Sequence, residues 1–310
     1  MKAHAKKLFL GLALLSSASF LTIDAFATEG YFQHGNGARN KATGGAGVAD
    51  GRDGTTLFLN PAALAGMESE ASFAVSLFSP RRKLLGTGGP GFTTNDRVVS
   101  KENLFAIPSF AIVGQIDDST SWAIGLNANG GMNTTFQDVT NPACAQPGLP
   151  ANNGVFCGGN AGVNLSQALI SVGFAKQMGN LKIGIAPVFA FQLFEAQGLA
   201  AFGGVTSNPG ALTDNGNSTS TGFGGRIGIE YALAENIRFG ASYQTKLNMS
   251  KFDEYAGLFE NGGEFDIPSN YQIGIAADVT PDLTFMFDYR RINYSDVPSI
   301  NNSSRIQAPF

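Results

Sequence analysis

Between residues 236 and 249 the chain alternates apolar and polar positions. Ile237, Phe239, Ala241, Tyr243, Leu247 and Met249 share one face with Thr245, and Asn236, Arg238, Gly240, Ser242, Gln244, Lys246 and Asn248 share the other. Successive side chains of a strand point to opposite faces, so the segment predicts a strand with one oily and one wet side. The pattern recurs along the chain. Ala71, Phe73, Val75 and Leu77 begin it, followed by residues 104–116, where Pro108 predicts a bulge or local break. Trp122, Ile124, Leu126 and Ala128 run into Gly130 and Gly131. Further strands follow around residues 167–177, 181–191 and 223–233, and then, after the segment above, at Tyr271 to Ala277 and Leu283 to Tyr289, nine in all.

The connections decide between a soluble sandwich and a membrane wall. Short turns follow the second, fourth, sixth and eighth strands, and long Gly/Asn/Ser/Thr-rich loops, such as residues 133–164 and 197–221, follow most of the others. Bacterial outer-membrane barrels keep this rhythm of short periplasmic turns and long extracellular loops. The strands run to about ten residues, enough to cross a bilayer when tilted, whereas sandwich strands average about five or six. The predicted fold is an all-β antiparallel transmembrane β-barrel. Past the N-terminus no run of eighteen apolar residues occurs, which excludes helical spans from the mature chain. Nine is an odd count, residues 295–309 are polar without alternation, and Pro309 precedes the terminal Phe310. Closed bacterial barrels use even counts, so the chain is expected to be a C-terminally truncated form of a longer one.

Composition adds an address. Lys2, Lys6 and Lys7 precede an apolar run over residues 8–21, and Ala25-Phe26-Ala27 is a small-x-small cleavage site. Residues 1–27 thus read as a signal peptide cut between Ala27 and Thr28. The mature chain then carries 17 basic and 23 acidic residues, a net charge of −6. With no arginine-rich run or basic patch, a nucleic-acid partner is excluded. Glycine (40) and phenylalanine (25) are abundant and only 14% of residues are charged, which suits a wall whose apolarity sits on alternate positions.

Residues 28–67 lack any period and are rich in small residues, including Gly30, Gly35, Gly37, Gly44, Gly45, Gly47 and Gly51. Asn60 as N-cap, Pro61 at the first position and Gly66 as stop predict a short helix there. No Gly-Lys-Ser/Thr follows, so a phosphate cradle is excluded and a plug, or hatch, is the better reading. Cys144 and Cys157 bracket a Gly/Pro/Asn-rich stretch and are expected to form a disulfide; two cysteines without a nearby histidine make no metal site. A hydrolase is the enzymatic alternative, but nucleophilic hydrolysis usually needs a histidine base, and beyond the signal only His34 remains, inside the hatch. A structural or adhesive barrel is the other alternative, and such barrels have little use for a plug. No catalytic residue, metal or cofactor is assigned.

Three pieces carry a resemblance: Leu59-Asn60-Pro61-Ala62-Ala63-Leu64, the run Gly125-Leu126-Asn127-Ala128-Asn129-Gly130-Gly131-Met132-Asn133-Thr134, and Phe287-Asp288-Tyr289-Arg290-Arg291-Ile292-Asn293-Tyr294-Ser295-Asp296. With them the chain resembles the FadL/TodX-type outer-membrane transporters of long-chain fatty acids and aromatic hydrocarbons. The resemblance implies a fourteen-strand barrel with an N-terminal hatch, here about five strands short. It implies passive passage of a hydrophobic small molecule from an outer groove to an inner pocket and out through a kink in the third strand. Carried over, the hatch spans residues 28–67 with Gly44, Gly45, Asn60 and Pro61, residues 68–310 form a partial barrel, and the kink or lateral opening lies at Asn129, Gly130 and Gly131. The Gly130-Gly131 pair has a plainer reading too, as the start of a loop. Phe189, Phe191, Phe285 and Phe287 are expected to face lipid. Arg226, Glu230, Arg238, Lys246, Asp288 and Arg290 are expected to be solvated lumen charges, able to meet a carboxylate. The implied location is the outer membrane of a Gram-negative bacterium. The implied partners are outer-membrane lipid and lipopolysaccharide, around a monomer without cofactor.

Overall fold

Alternation of apolar and polar residues becomes a wall when each strand finds its neighbour in sequence. The computed structural model describes residues 29–86, 93–145 and 153–302, so the signal peptide, the Ala27/Thr28 cleavage site and Phe310 lie outside the described residues. The chain divides into two units, residues 1–30 and 31–310, and every element below belongs to the second. Its wall is one ten-stranded sheet. The order is β1 (Glu70–Phe78), β4 (Phe105–Asp117), β5 (Thr120–Phe136), β6 (Ala161–Met178), β7 (Leu181–Gln197), β8 (Ser218–Ala234), β9 (Ile237–Gln244), β11 (Asn270–Thr280) and β12 (Leu283–Ile292). Each strand pairs antiparallel with the next, and β1 and β12 are the two edges. These nine strands are the nine predicted. β5, β6 and β8 each run four residues into the stretches expected as loop and β7 reaches their edge, because their upper ends pair with one another.

The outer face is apolar along a broad belt, with polar residues such as Lys176 and Thr219 only toward the strand ends. Phe73 is 72% exposed, Leu77 74%, Phe285 63% and Phe287 62%, and Trp122, Phe189 and Phe191 are exposed beside them. Water would not tolerate so large an apolar surface on a monomer, whereas bilayer hydrocarbon requires it. The lumen face carries small and polar residues instead, among them Ser109, Ala111, Ala123, Gln167, Ser171 and Gln192, all buried.

Three local expectations are corrected. Residues 236–249 do not form one strand: β9 ends at Gln244, and the short β10 (Asn248–Met249) pairs back on β8. Phe239 and Tyr243 face outward, but Leu247 and Met249 are buried in the lumen, turned into the room left by Gly224 and Gly222. A hairpin, β2 (Lys83–Leu85) with β3 (Arg97–Val99), occupies part of a predicted loop. Pro108 causes no break. It pairs with Val75 of β1, and the pairing of β4 with β5 begins only at Ser109, so its missing N–H falls where β4 has no second neighbour.

Residues 31–67 lie against the concave face, with α1 (Gly37–Ala42) and two 3-10 turns, Gly54–Phe58 and Pro61–Leu64. The segment expected to be a short helix is thus a single 3-10 turn, capped by the Asn60 side chain accepting from Ala62 N–H. Its apolar residues Leu57, Phe58 and Leu64 pack on Ala111, Val113, Ala123, Ala175 and Ala186 of the wall. Contact this close needs bare backbone beneath it. Gly125 lies under Phe58, Gly173 under Leu57, Gly184 under the Pro61–Ala62 peptide, Gly228 under the Asn60 amide and Gly240 under Val48. These glycines sit on β5, β6, β7, β8 and β9 in turn, each at a lumen-facing position, and together they form the bed of the hatch.

A Gly228→Val substitution is therefore expected to overlap Asn60 and cost about 1–3 kcal/mol, read as a lower midpoint for loss of the folded band in heat-modifiability gels. Gly225→Ala, on the same strand but with only an ordinary contact at 3.7 Å from Ala186 O, is expected to stay within about 0.5 kcal/mol.

Candidate functional site

A β-bulge spends one extra residue on one strand and leaves its backbone groups without a ladder partner. β5 carries one between Ala128 and Gly130, opposite Ala168 and Gln167 of β6. At the same height β5 leaves its other neighbour, since the last β4–β5 pair is Ser109 with Asn127. Above that pair, β4 is bonded to β1 alone and β5 to β6 alone. The two edges meet again where Lys101 N–H donates to Thr135 O at 2.9 Å and Thr135 N–H donates to Ser100 Oγ at 3.0 Å. The wall thus has a slot, bounded below by Ser109–Asn127 and above by Lys101–Thr135. Exposed Leu104 and Met132 stand at its outer rim.

The slot is closed from inside by the start of the hatch. Phe32 forms an isolated antiparallel bridge with Gly130. Gln33 N–H donates to Asn129 O at 3.0 Å, Gly131 N–H donates to Tyr31 O at 2.9 Å, and the Gln33 amide donates to Ala128 O. A side chain at residue 130 would overlap Tyr31 O, so glycine there is a condition of the closure. Gln33 also donates to Asn36 at 2.8 Å, and Asn127 donates to the same Asn36 oxygen at 3.1 Å.

Behind the slot lies an apolar core at the loop end of the lumen. Residues 250–269 fold inward and place Phe252, Tyr255, Phe265 and Ile267 against Leu165, Leu169, Val188 and Phe194 of β6 and β7, all buried. Tyr31 joins it, with ring centroids 5.8 Å from Phe265 and 5.3 Å from Tyr294, and burial pushes its phenol pKa up. One polar row crosses this core: Asn129 donates to Gln167 at 2.8 Å, Gln167 to Gln192 at 3.3 Å, and Gln192 to Phe265 O at 3.0 Å. It ties the bulge directly to the infolded loop.

The lumen charges are not the solvated lining expected of them; most grip backbone or one another. Asp288 accepts from Gly47 N–H at 2.8 Å and Val48 N–H at 2.9 Å. Arg226 donates to Leu57 O at 3.0 Å, and Arg238 to Ala49 O at 3.2 Å while pairing with Asp50 at 2.7 Å and Asp278 at 2.6 Å. Lys246 pairs with Asp266 at 2.6 Å, Glu230 with Lys182 at 3.0 Å, and Arg290 lies over the Phe32 ring at 5.5 Å. Asn60 donates to Val48 O at 2.7 Å and Ile229 O at 3.0 Å.

The structure places the sequence-derived residues in four groups. Asn129, Gly130 and Gly131 form the bulge, and Asn60 with Pro61 forms the capped turn on Gly184 and Gly228. Gly44 and Gly45 have φ of +67° and +87°, in the turn after α1 beside His34. Cys144 and Cys157 are bonded to each other. Sequence reasoning missed Tyr31–Gln33 as the closing segment and the glycine bed beneath the hatch. The bed had a visible signal: glycines on the polar face of strands whose other polar positions carry side chains.

The sequence matches the model of the outer membrane protein transport protein family (OMPP1/FadL/TodX) over residues 18–307. Solved structures are similar too. The Pseudomonas putida toluene transporter TodX is 17% identical, with 87% of this chain and 72% of that chain covered and a TM-score of 0.59. The Ralstonia pickettii toluene transporter TbuX is 19% identical, with 85% and 73% covered and a TM-score of 0.60. A Pseudomonas aeruginosa FadL homologue is 13% identical, with 86% and 70% covered and a TM-score of 0.57. At such identities the likeness establishes the fold. No curated protein matches the chain.

Asp288→Ala is expected to free the Gly47 and Val48 amides by removing charge-assisted hydrogen bonds worth about 1.5–3 kcal/mol each. Hydrogen exchange at those two amides should quicken by about tenfold or more while the β6–β7 ladder amides stay unchanged.

Proposed function

The chain belongs to the FadL/TodX family of outer-membrane transport proteins, and we propose that it passes a hydrophobic small molecule inward and releases it sideways through the slot between β4 and β5. At the family level its work is transport at the outer membrane of a Gram-negative bacterium, not catalysis. The observation that supports the route is the β5 bulge, whose turned-in backbone is bonded by Tyr31–Gln33 where a wall strand would otherwise bond it.

The steps follow from solvation. A hydrophobic solute is held poorly by water, and the apolar core behind the slot offers it a better solvent. The glycine-bedded hatch below keeps ions and water from following. A ligand lodged beside Tyr31 and Phe32 competes for the contacts that hold them on the bulge. Once residues 31–33 leave, the slot opens toward bilayer hydrocarbon, where the solute moves down its gradient without an energy source. The substrate class is long-chain fatty acids or aromatic hydrocarbons, and the monoaromatic hydrocarbon channels CymD and TodX have the same fold. The protein works as a monomer in contact with outer-membrane lipid and lipopolysaccharide.

Uptake of radiolabelled oleate and toluene in a deletion strain tests the reading. Expression of the chain should raise uptake of at least one; no rise over empty vector for either would contradict transport. Gln33→Ala removes the amide that donates to Ala128 O, a bond worth about 1 kcal/mol, without adding atoms, and should raise uptake by up to about fivefold with the folded band intact. Unchanged uptake would contradict the slot.

A further inference from the structure

We propose that the β2–β3 hairpin is a docking surface for phosphorylated headgroups of outer-leaflet lipid. The register pairs Lys83 with Val99, Leu84 with Val98 and Leu85 with Arg97. Leu84 and Val98 share the inner face and pack against a small cluster built on Phe136 and Val155. Lys83, Leu85, Arg97 and Val99 share the outer face, where Leu85 is 60% and Val99 52% exposed. A face that alternates cations with aliphatics suits neither bulk water nor hydrocarbon. It suits the boundary between them, where the aliphatics dip among acyl chains and the cations stay at headgroup level.

Position agrees with that reading. The short turns of the wall lie at one end, and β1 finishes at the other, with lipid-facing Leu77 and then Phe78 just before the hairpin. In this barrel class the end with long loops faces outward. The hairpin therefore stands at the outer rim of the apolar belt. Arg81, exposed between β1 and β2, adds a third cation.

Charge narrows the occupant. Residues 79–104 hold five of the chain's 20 Lys and Arg against only Asp96 and Glu102, in a sequence of net charge −4. Two of the five are engaged: Arg82 lies over the Phe105 ring at 5.1 Å and donates to Glu102 O, and Lys101 pairs with Asp138. Arg81, Lys83 and Arg97 make no ion pair among the described residues. A soluble polyanion would answer these cations but leave Leu85 and Val99 in water. A phosphorylated lipid answers both. The sequence shows the run Arg81-Arg82-Lys83 but not the whole patch, because Arg97 lies 14 residues beyond Lys83; the hairpin puts Lys83 and Arg97 on one face.

The test measures binding of fluorescent lipopolysaccharide, intact or dephosphorylated, to the full chain in neutral detergent micelles at low salt. Each basic residue near an anionic surface contributes appreciably, so Arg81→Ser/Lys83→Ser/Arg97→Ser should bind intact lipid at least about tenfold more weakly. Dephosphorylated lipid should bind the natural chain similarly weakly, an arm that needs no variant. Leu85→Ser/Val99→Ser should weaken binding severalfold, and neither inorganic phosphate nor a single-stranded oligonucleotide should displace the lipid. Triple-variant binding within about twofold of the natural chain, or equal binding of the dephosphorylated lipid, would overturn the proposal. Displacement by inorganic phosphate would reassign the face to free anions, and displacement by the oligonucleotide with no effect at Leu85 and Val99 would reassign it to soluble polyanions; either overturns it.

Discussion

Inside a bilayer every backbone N–H and C=O must find a partner within the protein, because the lipid offers none. That constraint governs this wall. Along most of β5 the partners are β4 on one side and β6 on the other. Above Asn127 the β4 side is lost, and the chain answers with its own N-terminal segment, which bonds Asn129 and Gly131 from the lumen. One set of hydrogen bonds thereby completes the wall and anchors the hatch. What spans the slot is local and small, a few neutral hydrogen bonds.

The rest of the hatch is held differently. Its middle rests on five glycines, one from each of five consecutive strands, and is gripped by Asp288, Arg226, Arg238 and Asn60. Most of these grips are charge-assisted, and a missing side chain cannot be replaced by water beneath so close a contact. The division of labour is physical: the middle of the segment is firmly bedded on the wall, while its lead residues beside the bulge are held by a few neutral hydrogen bonds. A row of hydrogen bonds through Asn129, Gln167, Gln192 and Phe265 joins the bulge to the infolded loop across the apolar core.

The wall was legible in the sequence because a lipid-facing strand must alternate, and all nine main strands did. Where the alternation misled, a third dimension decided. Residues 245–249 keep their period, yet Leu247 and Met249 enter the lumen because Gly222 and Gly224 leave room on β8, a pairing that the period of a single segment does not reveal. β2 and β3 are three residues each, too short for a period to declare itself. The bulge residues Asn129–Gly131 stood out through their glycines and the resemblance, but Tyr31–Gln33 carried no mark of their role, since a backbone bridge depends on position and not on side-chain type. The lumen charges read as solvated because the hatch that engages them has no period from which its path can be traced.

The measurement that bears most directly on the slot is a distance between spin labels on His34, exposed beside the closing segment, and Ala106, a lipid-facing residue of β4, in reconstituted bilayers. Cys144 and Cys157 are bonded to each other, which leaves single cysteines introduced at those two positions free to take the labels. The account predicts one short, narrow distance without ligand and a second, longer population when a fatty acid or a monoaromatic hydrocarbon is added. A single distance unchanged by every hydrophobic ligand that the protein carries would contradict it.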